Sequence, residues 1–172
     1  MKFLKNLLPD IYAEDVYSVN YHKLYELGIR GIIFDIDNTL VAHGAESNPK
    51  VEKLFKELHD LNFSTLLLSN NSRERVESFN RNINTLSISS ASKPDRGCFL
   101  KALELLGTTR EQTIMIGDTL FTDIRGANRI GIRTLLVKYI GYYSTEPKGK
   151  RRYLEKMILK LGRLYGKKKT IL

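Results

Sequence analysis

Asp35 and Asp37 stand two residues apart, directly after the apolar run Ile32, Ile33 and Phe34, and Asn38 and Thr39 follow them. A buried carboxylate is costly unless it is neutralised, hydrogen-bonded or bound to a cation, so a strand that runs into two acids needs a reason. Two further strand-like runs end in polar groups. "LLLSN" delivers Ser69 and Asn70, and "TIMIGD" delivers Gly117 and Asp118, with Lys93 and Asp123 in adjoining loops. One acid at a strand end is commonly a helix cap, but five or six such groups at one edge are better read as a site. Carboxylates, a hydroxyl and an ammonium suit a divalent cation and a phosphoryl group. Mg²⁺ takes an octahedron of oxygens, usually a few carboxylates completed by water and substrate phosphate. On this reading Asp35 and Asp118 are side-chain ligands, and the backbone carbonyl of Asp37 adds a third oxygen. The cation keeps Asp35 an anionic nucleophile, while Ser69 and Lys93 hold the phosphoryl oxygens.

The elements that must present these groups alternate between apolar strands and amphipathic helices. Arg30 to Asp35 reads as strand. Val51, Leu54, Phe55, Leu58 and Leu61 then share one helical face, with Asn48 as cap and Pro49 at the first position. Phe63 to Leu68 is a strand, Arg73 to Arg81 a helix and "TLSIS" a weak strand. A helix over Pro94 to Leu106 stops at Gly107. "TIMIGD" and "IRTLLV" are the fourth and fifth strands, separated by a helix over Phe121 to Ile130. This alternation predicts an α/β fold with a mainly parallel sheet, in which ligands bind beyond the carboxyl ends of the strands.

Four motifs in this order resemble those of the haloacid dehalogenase (HAD) superfamily: "DIDNTL", "LLLSN", "SKP" and "GDTLFTD". The resemblance covers roughly residues 30 to 137. It implies a three-layer Rossmann-like core and Mg²⁺-dependent phosphoryl transfer through an aspartyl-phosphate. By motif position Asp35 is the nucleophile and Asp37 the general acid/base. Ser69 and Lys93 hold the phosphoryl group, with Asn70 beside them. Thr39 orients the catalytic loop, Asp118 binds the metal, and Asp123 supports the metal or Lys93. An acid two residues after the nucleophile can protonate a leaving alkoxide and then activate water, which favours a phosphatase. The intervals after the first and second motifs leave no room for a substantial cap domain, so the site should be open to a bulky substrate.

Charge separates the chain into parts. Lys138 to Leu172 holds eleven Lys or Arg against Glu146 and Glu155, which is the entire formal excess of +9; residues 1 to 137 are neutral. The expected organisation is an N-terminal segment (1–29), a hydrolase core (30–137) and a basic, partly helical tail (138–172). Leu154, Ile158, Leu161 and Tyr165 share one helical face, and Arg152, Lys156, Lys160, Arg163 and Lys167 to Lys169 line the polar side. Such a helix suits an anionic membrane surface or packs on its own domain. The N-terminal stretch through "DIDNTL" is similar, more loosely, to HAD subfamily IIIA proteins that include phosphatidylglycerophosphate phosphatases. That resemblance implies a phospholipid substrate and peripheral contact with the inner face of a membrane.

Other features narrow the classes. No run approaches a spanning helix, and no signal-peptide pattern opens the chain, so a cytoplasmic location is expected. The lone Cys98 reads as a packing residue before a nucleophile, and His22, His43 and His59 show no metal-ligand grouping. Three alternatives compete: a HAD phosphatase with a soluble nucleotide or phosphosugar, a receiver-like phosphoacceptor module, and a nucleic-acid-binding domain using the basic arm. The last two leave the motif order or the acid cluster unexplained.

Overall fold

The computed structural model describes residues 6–140 and 150–164. Six strands form one sheet. They are β1 (Ile11–Ala13), β2 (Gly31–Phe34), β3 (Ser64–Leu68), β4 (Leu86–Ile88), β5 (Thr113–Gly117) and β6 (Arg133–Val137). Their spatial order is β1-β6-β5-β2-β3-β4, and every pairing is parallel. The helices are α1 (Tyr21–Glu26), α2 (Pro49–Asp60), α3 (Arg73–Asn80), α4 (Arg96–Leu106), α5 (Arg125–Asn128) and α6 (Lys150–Leu164).

Strand periodicity distributes the core. Ile32, Phe34, Leu67, Ile114 and Ile116 face one side, where they meet Val51, Leu54, Phe55 and Leu58 of α2. Ile33, Leu66, Leu68 and Met115, at the alternate positions, face the other side and meet Phe99, Ala102 and Leu106 of α4. The result is a three-layer α/β sandwich, the Rossmann-like architecture expected. The α2 start is also as read: Asn48 accepts from Lys50 and Val51 N–H, and Pro49 is the first helical residue. Gly107 ends α4 with φ 64, a left-handed position that glycine fills without strain.

Three differences from the sequence reading matter. First, the N-terminal segment supplies β1, which pairs with β6 and extends the sheet from five strands to six. Its apolar pattern is too short to distinguish it from loop. Second, the single helix expected over Phe121 to Ile130 is split. Leu120–Ile124 is a wide turn in which Ile124 N–H reaches the carbonyl of Thr119, five residues back, and α5 follows. Third, α6 packs on the domain, one of the two placements its pattern allowed, but not by the whole apolar face read from it. Ile158 is buried with Leu7, Leu8, Leu120, Ile124 and Leu136, and Leu159 packs beside them. Leu154 and Leu161, which share the apolar face read from the sequence with Ile158, are 42% and 40% exposed. Tyr165 and Lys167 to Lys169 lie outside the described residues.

The chain order places the site. From central β2 it winds outward through β3 and β4, then returns to β5 on the other flank. The carboxyl ends of β2, β3 and β5 therefore meet where the winding reverses, which is where open α/β sheets bind ligands.

Candidate active site

Asp35 is the first residue beyond β2. Its N–H still bonds the carbonyl of Ile116 on β5, so its position is set by the sheet. The chain then turns back on itself. Thr39 and Leu40 N–H both reach the carbonyl of Ile36, and Asn38 takes φ 64. This turn carries the buried Thr39 to a position between two acids. Its hydroxyl lies 3.3 Å from Asp35 Oδ2 and 3.4 Å from Asp118 Oδ1.

Lys93 enters from the segment between β4 and α4. Asn70, just past β3, grips its backbone at both ends: Asn70 Oδ1 accepts from Lys93 N at 2.7 Å, and Asn70 Nδ2 donates to Lys93 O at 3.2 Å. The Lys93–Pro94 peptide is cis. Held this way, Lys93 Nζ donates to Asp35 Oδ1 at 2.5 Å and pairs with Asp123 Oδ1 at 2.8 Å. Asp118 and Asp123 come from the β5 exit and the wide turn after it. Thr119 ties them together: its hydroxyl donates to Asp118 Oδ1 and its N–H to Asp123 Oδ2, each at 3.1 Å. Gly117 is required for the approach of Asp123, since a Cβ there would fall 2.6 Å from Asp123 Cγ.

Asp35, Asp118 and Asp123 thus bring one oxygen each within 4.8 Å of one another. Lys93 is the cation in contact with two of them. Burial pushes the Asp35 carboxyl up, Lys93 offsets part of this, and Asp123 and Asp118 add to it, leaving it near about 7. Burial opposes charge on Lys93 as well, but Asp123 and Asp35 outweigh it and raise its pKa. Three crowded carboxylates with one ammonium are an oxygen-only donor set with spare negative charge. That chemistry fits a hard divalent cation such as Mg²⁺.

Asp37 belongs to a different constellation. Its carboxylate accepts from Asn71 Nδ2 at 2.6 Å, from Gly44 N at 3.1 Å and from Arg75 Nη2 at 3.3 Å, with His43 Nδ1 at 3.4 Å. Burial would raise its pKa, but the Asn71 and Gly44 hydrogen bonds, Arg75 and His43 outweigh it and hold it below the usual carboxylate value. Arg75 is itself fixed by donating to the carbonyl of Ala45 at 2.5 Å.

Of the residues expected at the site, the structure gathers Asp35, Asp118, Asp123, Lys93 and Thr39 into one cluster. Asp123, expected as a support, sits among the acids. The Asp37 carboxylate does not join them. Thr39, expected to orient the catalytic loop, and Asn70, expected beside the phosphoryl-holding residues, have their polar atoms on protein groups. Buried Ser69 accepts from Asn71 N–H at 3.2 Å. Sequence reasoning missed Asn71, Arg75 and His43. A signal existed for Arg75, a cation in the first turn of α3, where the helix dipole disfavours it. His43, read as ordinary, faces Asp37, whereas His59 bonds Thr65. Cys98 is a packing residue as read: half-buried beside the α4 core, with its thiol pushed up to about 11 by burial.

Comparison with known proteins agrees with this geometry. Residues 90–154 match the family model for HAD-hydrolase-like proteins. The chain is 34% identical over 134 residues to the probable phosphatase YqeG of Bacillus subtilis, spanning 77% of this chain and 78% of that one. It belongs to the HAD phosphatases. It is also 26% identical to phosphatidylglycerophosphate phosphatase 1 of Arabidopsis thaliana, over 77% of this chain but only 41% of the plant protein. The cobalt-bound deoxy-D-mannose-octulosonate 8-phosphate phosphatase of Haemophilus influenzae superposes with a TM-score of 0.51 at 19% identity, over 80% of this chain and 90% of that one. That likeness concerns the fold. As a HAD phosphatase the chain departs from capped members: its interval after β2 holds only α2 between loops, and that after β3 only α3 and β4.

Proposed function

We propose that this HAD phosphatase cleaves phosphatidylglycerophosphate at a membrane surface, using Asp35 as nucleophile and Mg²⁺ held by Asp35, Asp118 and the backbone carbonyl of Asp37, with Asp123 supporting the cluster. The observation that carries the chemistry is the convergence of the Asp35, Asp118 and Asp123 carboxylates on Lys93 at the switch point of the sheet. When bound, Mg²⁺ neutralises the acid cluster and polarises the phosphoryl group. Asp35 is then a carboxylate whose oxygen attacks phosphorus. The bond from phosphorus to the leaving oxygen breaks, and that oxygen takes its proton from Asp37. In the second step Asp37 accepts a proton from water, the water oxygen attacks phosphorus, and the bond to Asp35 breaks to release phosphate. Lys93 and Ser69 balance charge on the phosphoryl oxygens.

Asp37 starts as a carboxylate in its cradle of Asn71, Gly44 and Arg75. Arrival of a dianionic phosphate beside it favours its protonation, because a like charge raises a carboxyl pKa. The acid form thereby becomes available when a leaving group is present to use it.

The lipid reading is supported by the uncapped site, the relatives that act on phosphatidylglycerophosphate, and a basic excess confined to residues 138–172. Among the described residues no helix is long and apolar enough to cross a membrane. The contact proposed is peripheral, through exposed Tyr153, Leu154, Met157 and Leu161 of α6 and the lysines beside them. The test is phosphate release from phosphatidylglycerophosphate in mixed micelles, compared with a soluble ester, with and without EDTA. Release from both, silenced by EDTA, is expected, together with salt-dependent co-sedimentation with anionic vesicles. Release from the soluble ester alone would move the substrate to a soluble phosphomonoester.

A further inference from the structure

Helix α6 is folded with an inverted preference. Its Glu155 is 5% exposed, whereas Tyr153, Leu154, Met157 and Leu161 are 64%, 42%, 54% and 40% exposed. Burying an acid while apolar neighbours face outward costs free energy unless the acid has a specific partner. One partner is the backbone of the metal loop. Leu120 N–H donates to Glu155 Oε1 at 3.2 Å, in a buried contact across 35 residues of sequence.

The position of Leu120 gives the contact its meaning. The loop between Asp118 and Asp123 opens a wide turn whose first residue is Leu120, and Thr119 before it offers no side-chain cap to the turn. The N–H groups in a first turn have no partner within the helix and must find one elsewhere. Thr119 N–H is taken by Asp123 itself, and the next, Leu120 N–H, is taken by Glu155. Ile158 and Leu159, three and four residues on, lie on the same helical face as Glu155. Ile158 joins Leu120 and Ile124 of the same turn in one buried cluster, and Leu159 and Phe121 pack against that cluster. The cap and its packing therefore reach the loop from one side of α6.

We propose that Glu155 is a positioning residue for the metal site: from the C-terminal helix it caps the turn that sets the spacing of Asp118 and Asp123. The proposal rests on the metal reading above, and it makes α6 part of the hydrolase unit. Outer partners of metal ligands typically contribute ten- to a hundredfold to affinity.

The experiment is calorimetric titration of the full chain with Mg²⁺, alongside hydrogen exchange at the Leu120 amide. Glu155→Ala should weaken Mg²⁺ binding by about tenfold or more and speed exchange at Leu120. Glu155→Met, of similar length and apolar, keeps the burial and removes the acceptor; it should behave as Glu155→Ala does and carries the comparison if the alanine variant does not fold. Glu155→Gln retains a carbonyl acceptor and should bind Mg²⁺ within roughly threefold of wild type. Leu7→Ala, which thins the same apolar cluster without removing a hydrogen bond from the loop, should lower the thermal midpoint and leave Mg²⁺ affinity unchanged. Wild-type affinity and wild-type Leu120 exchange in Glu155→Met would overturn the proposal. So would equal losses in Glu155→Met and Leu7→Ala, which would reduce Glu155 to a packing role. A wild-type chain that binds no Mg²⁺ would instead overturn the metal reading, leaving the exchange at Leu120 to report on the cap alone.

Discussion

Asp35 and Asp37 are the same residue type two positions apart, each with 14% of its side chain accessible, yet they sit in opposite environments. Asp35 is crowded by two other carboxylates and one ammonium, and its pKa is raised. Asp37 is ringed by donors, an amide, a backbone N–H and a guanidinium, and its pKa is lowered. Side-chain accessibility is equal, but at Asp35 desolvation by burial, with Asp123 and Asp118, outweighs Lys93, whereas at Asp37 the donors outweigh burial. The turn at Ile36 to Val41 sends one acid to the β5 side of the site and the other toward α3. The comparison teaches that two identical side chains two positions apart take opposite protonation preferences when different elements of the fold surround them.

The sharpest way to break this division is to remove one acid at a time. Asp35→Asn should cut turnover on any phosphomonoester by on the order of 10⁴-fold or more, with circular dichroism unchanged. Comparable activity in that variant would end the nucleophile assignment. Asp37→Asn should act selectively. An alkyl phosphate, whose alkoxide needs a proton, should lose about 10²–10⁴-fold. p-Nitrophenyl phosphate should lose less in the step that forms the intermediate, read as a burst under rapid mixing. Identical losses in that step would remove Asp37 as leaving-group acid.

Arg75 tests the cradle rather than the acid. Arg75→Ala removes a charged donor from Asp37, and a lost charged hydrogen bond of ~1.5–3 kcal/mol corresponds to roughly ten- to a hundredfold. The loss should fall on kcat for alkyl phosphates, with Mg²⁺ affinity unchanged. A variant defective in Mg²⁺ binding would show that the two constellations are not separate.

The smallest effect is on stability. Because the folded-state pKa of Asp35 is raised to about 7, its contribution is present below the ordinary carboxylate pKa and lost as pH rises through about 7. Asp37 runs the other way: its contribution is present above the ordinary value and lost only as pH falls through its lowered one. Of these two acids only Asp35 changes between pH 5 and 8, so its contribution to the metal-free protein is lost by pH 8, and Mg²⁺ should restore more there. The difference in Mg²⁺-induced thermal shift should be on the order of 5 °C, measured by calorimetry in EDTA and in excess Mg²⁺. An equal shift at both pH values would contradict the Asp35 environment described above.

Much of this was legible in the residues. The apolar runs of β2, β3 and β5, the Asn48–Pro49 start of α2 and the Gly107 stop of α4 are local signals, read by periodicity and capping alone. Asp35, Asp118 and Lys93 could be proposed together because parallel strands deliver their carboxyl ends to one edge. The residues around Asp37 could not. Asn71 and Arg75 contact it across 34 and 38 positions of sequence, and their side chains look like ordinary surface groups until α3 docks. Thr39 and Asn70 were recognised, but which groups their side chains meet depends on the turn after β2 and on the path of Lys93.

The tail gives the clearest division. Composition alone established a neutral body and a +9 segment, because charge is additive and needs no geometry. Helical periodicity over residues 151–169 favours a helix with apolar and basic faces. Which face turns inward was decided by tertiary contact. The apolar pocket lined by Leu7, Leu120, Ile124 and Leu136 receives Ile158, and an unpartnered N–H at Leu120 draws in Glu155. Helical spacing then leaves Leu154 and Leu161 on the outside. An amphipathic pattern tells a helix that it has a buried side, but the polar groups waiting on its partner determine which residues occupy it.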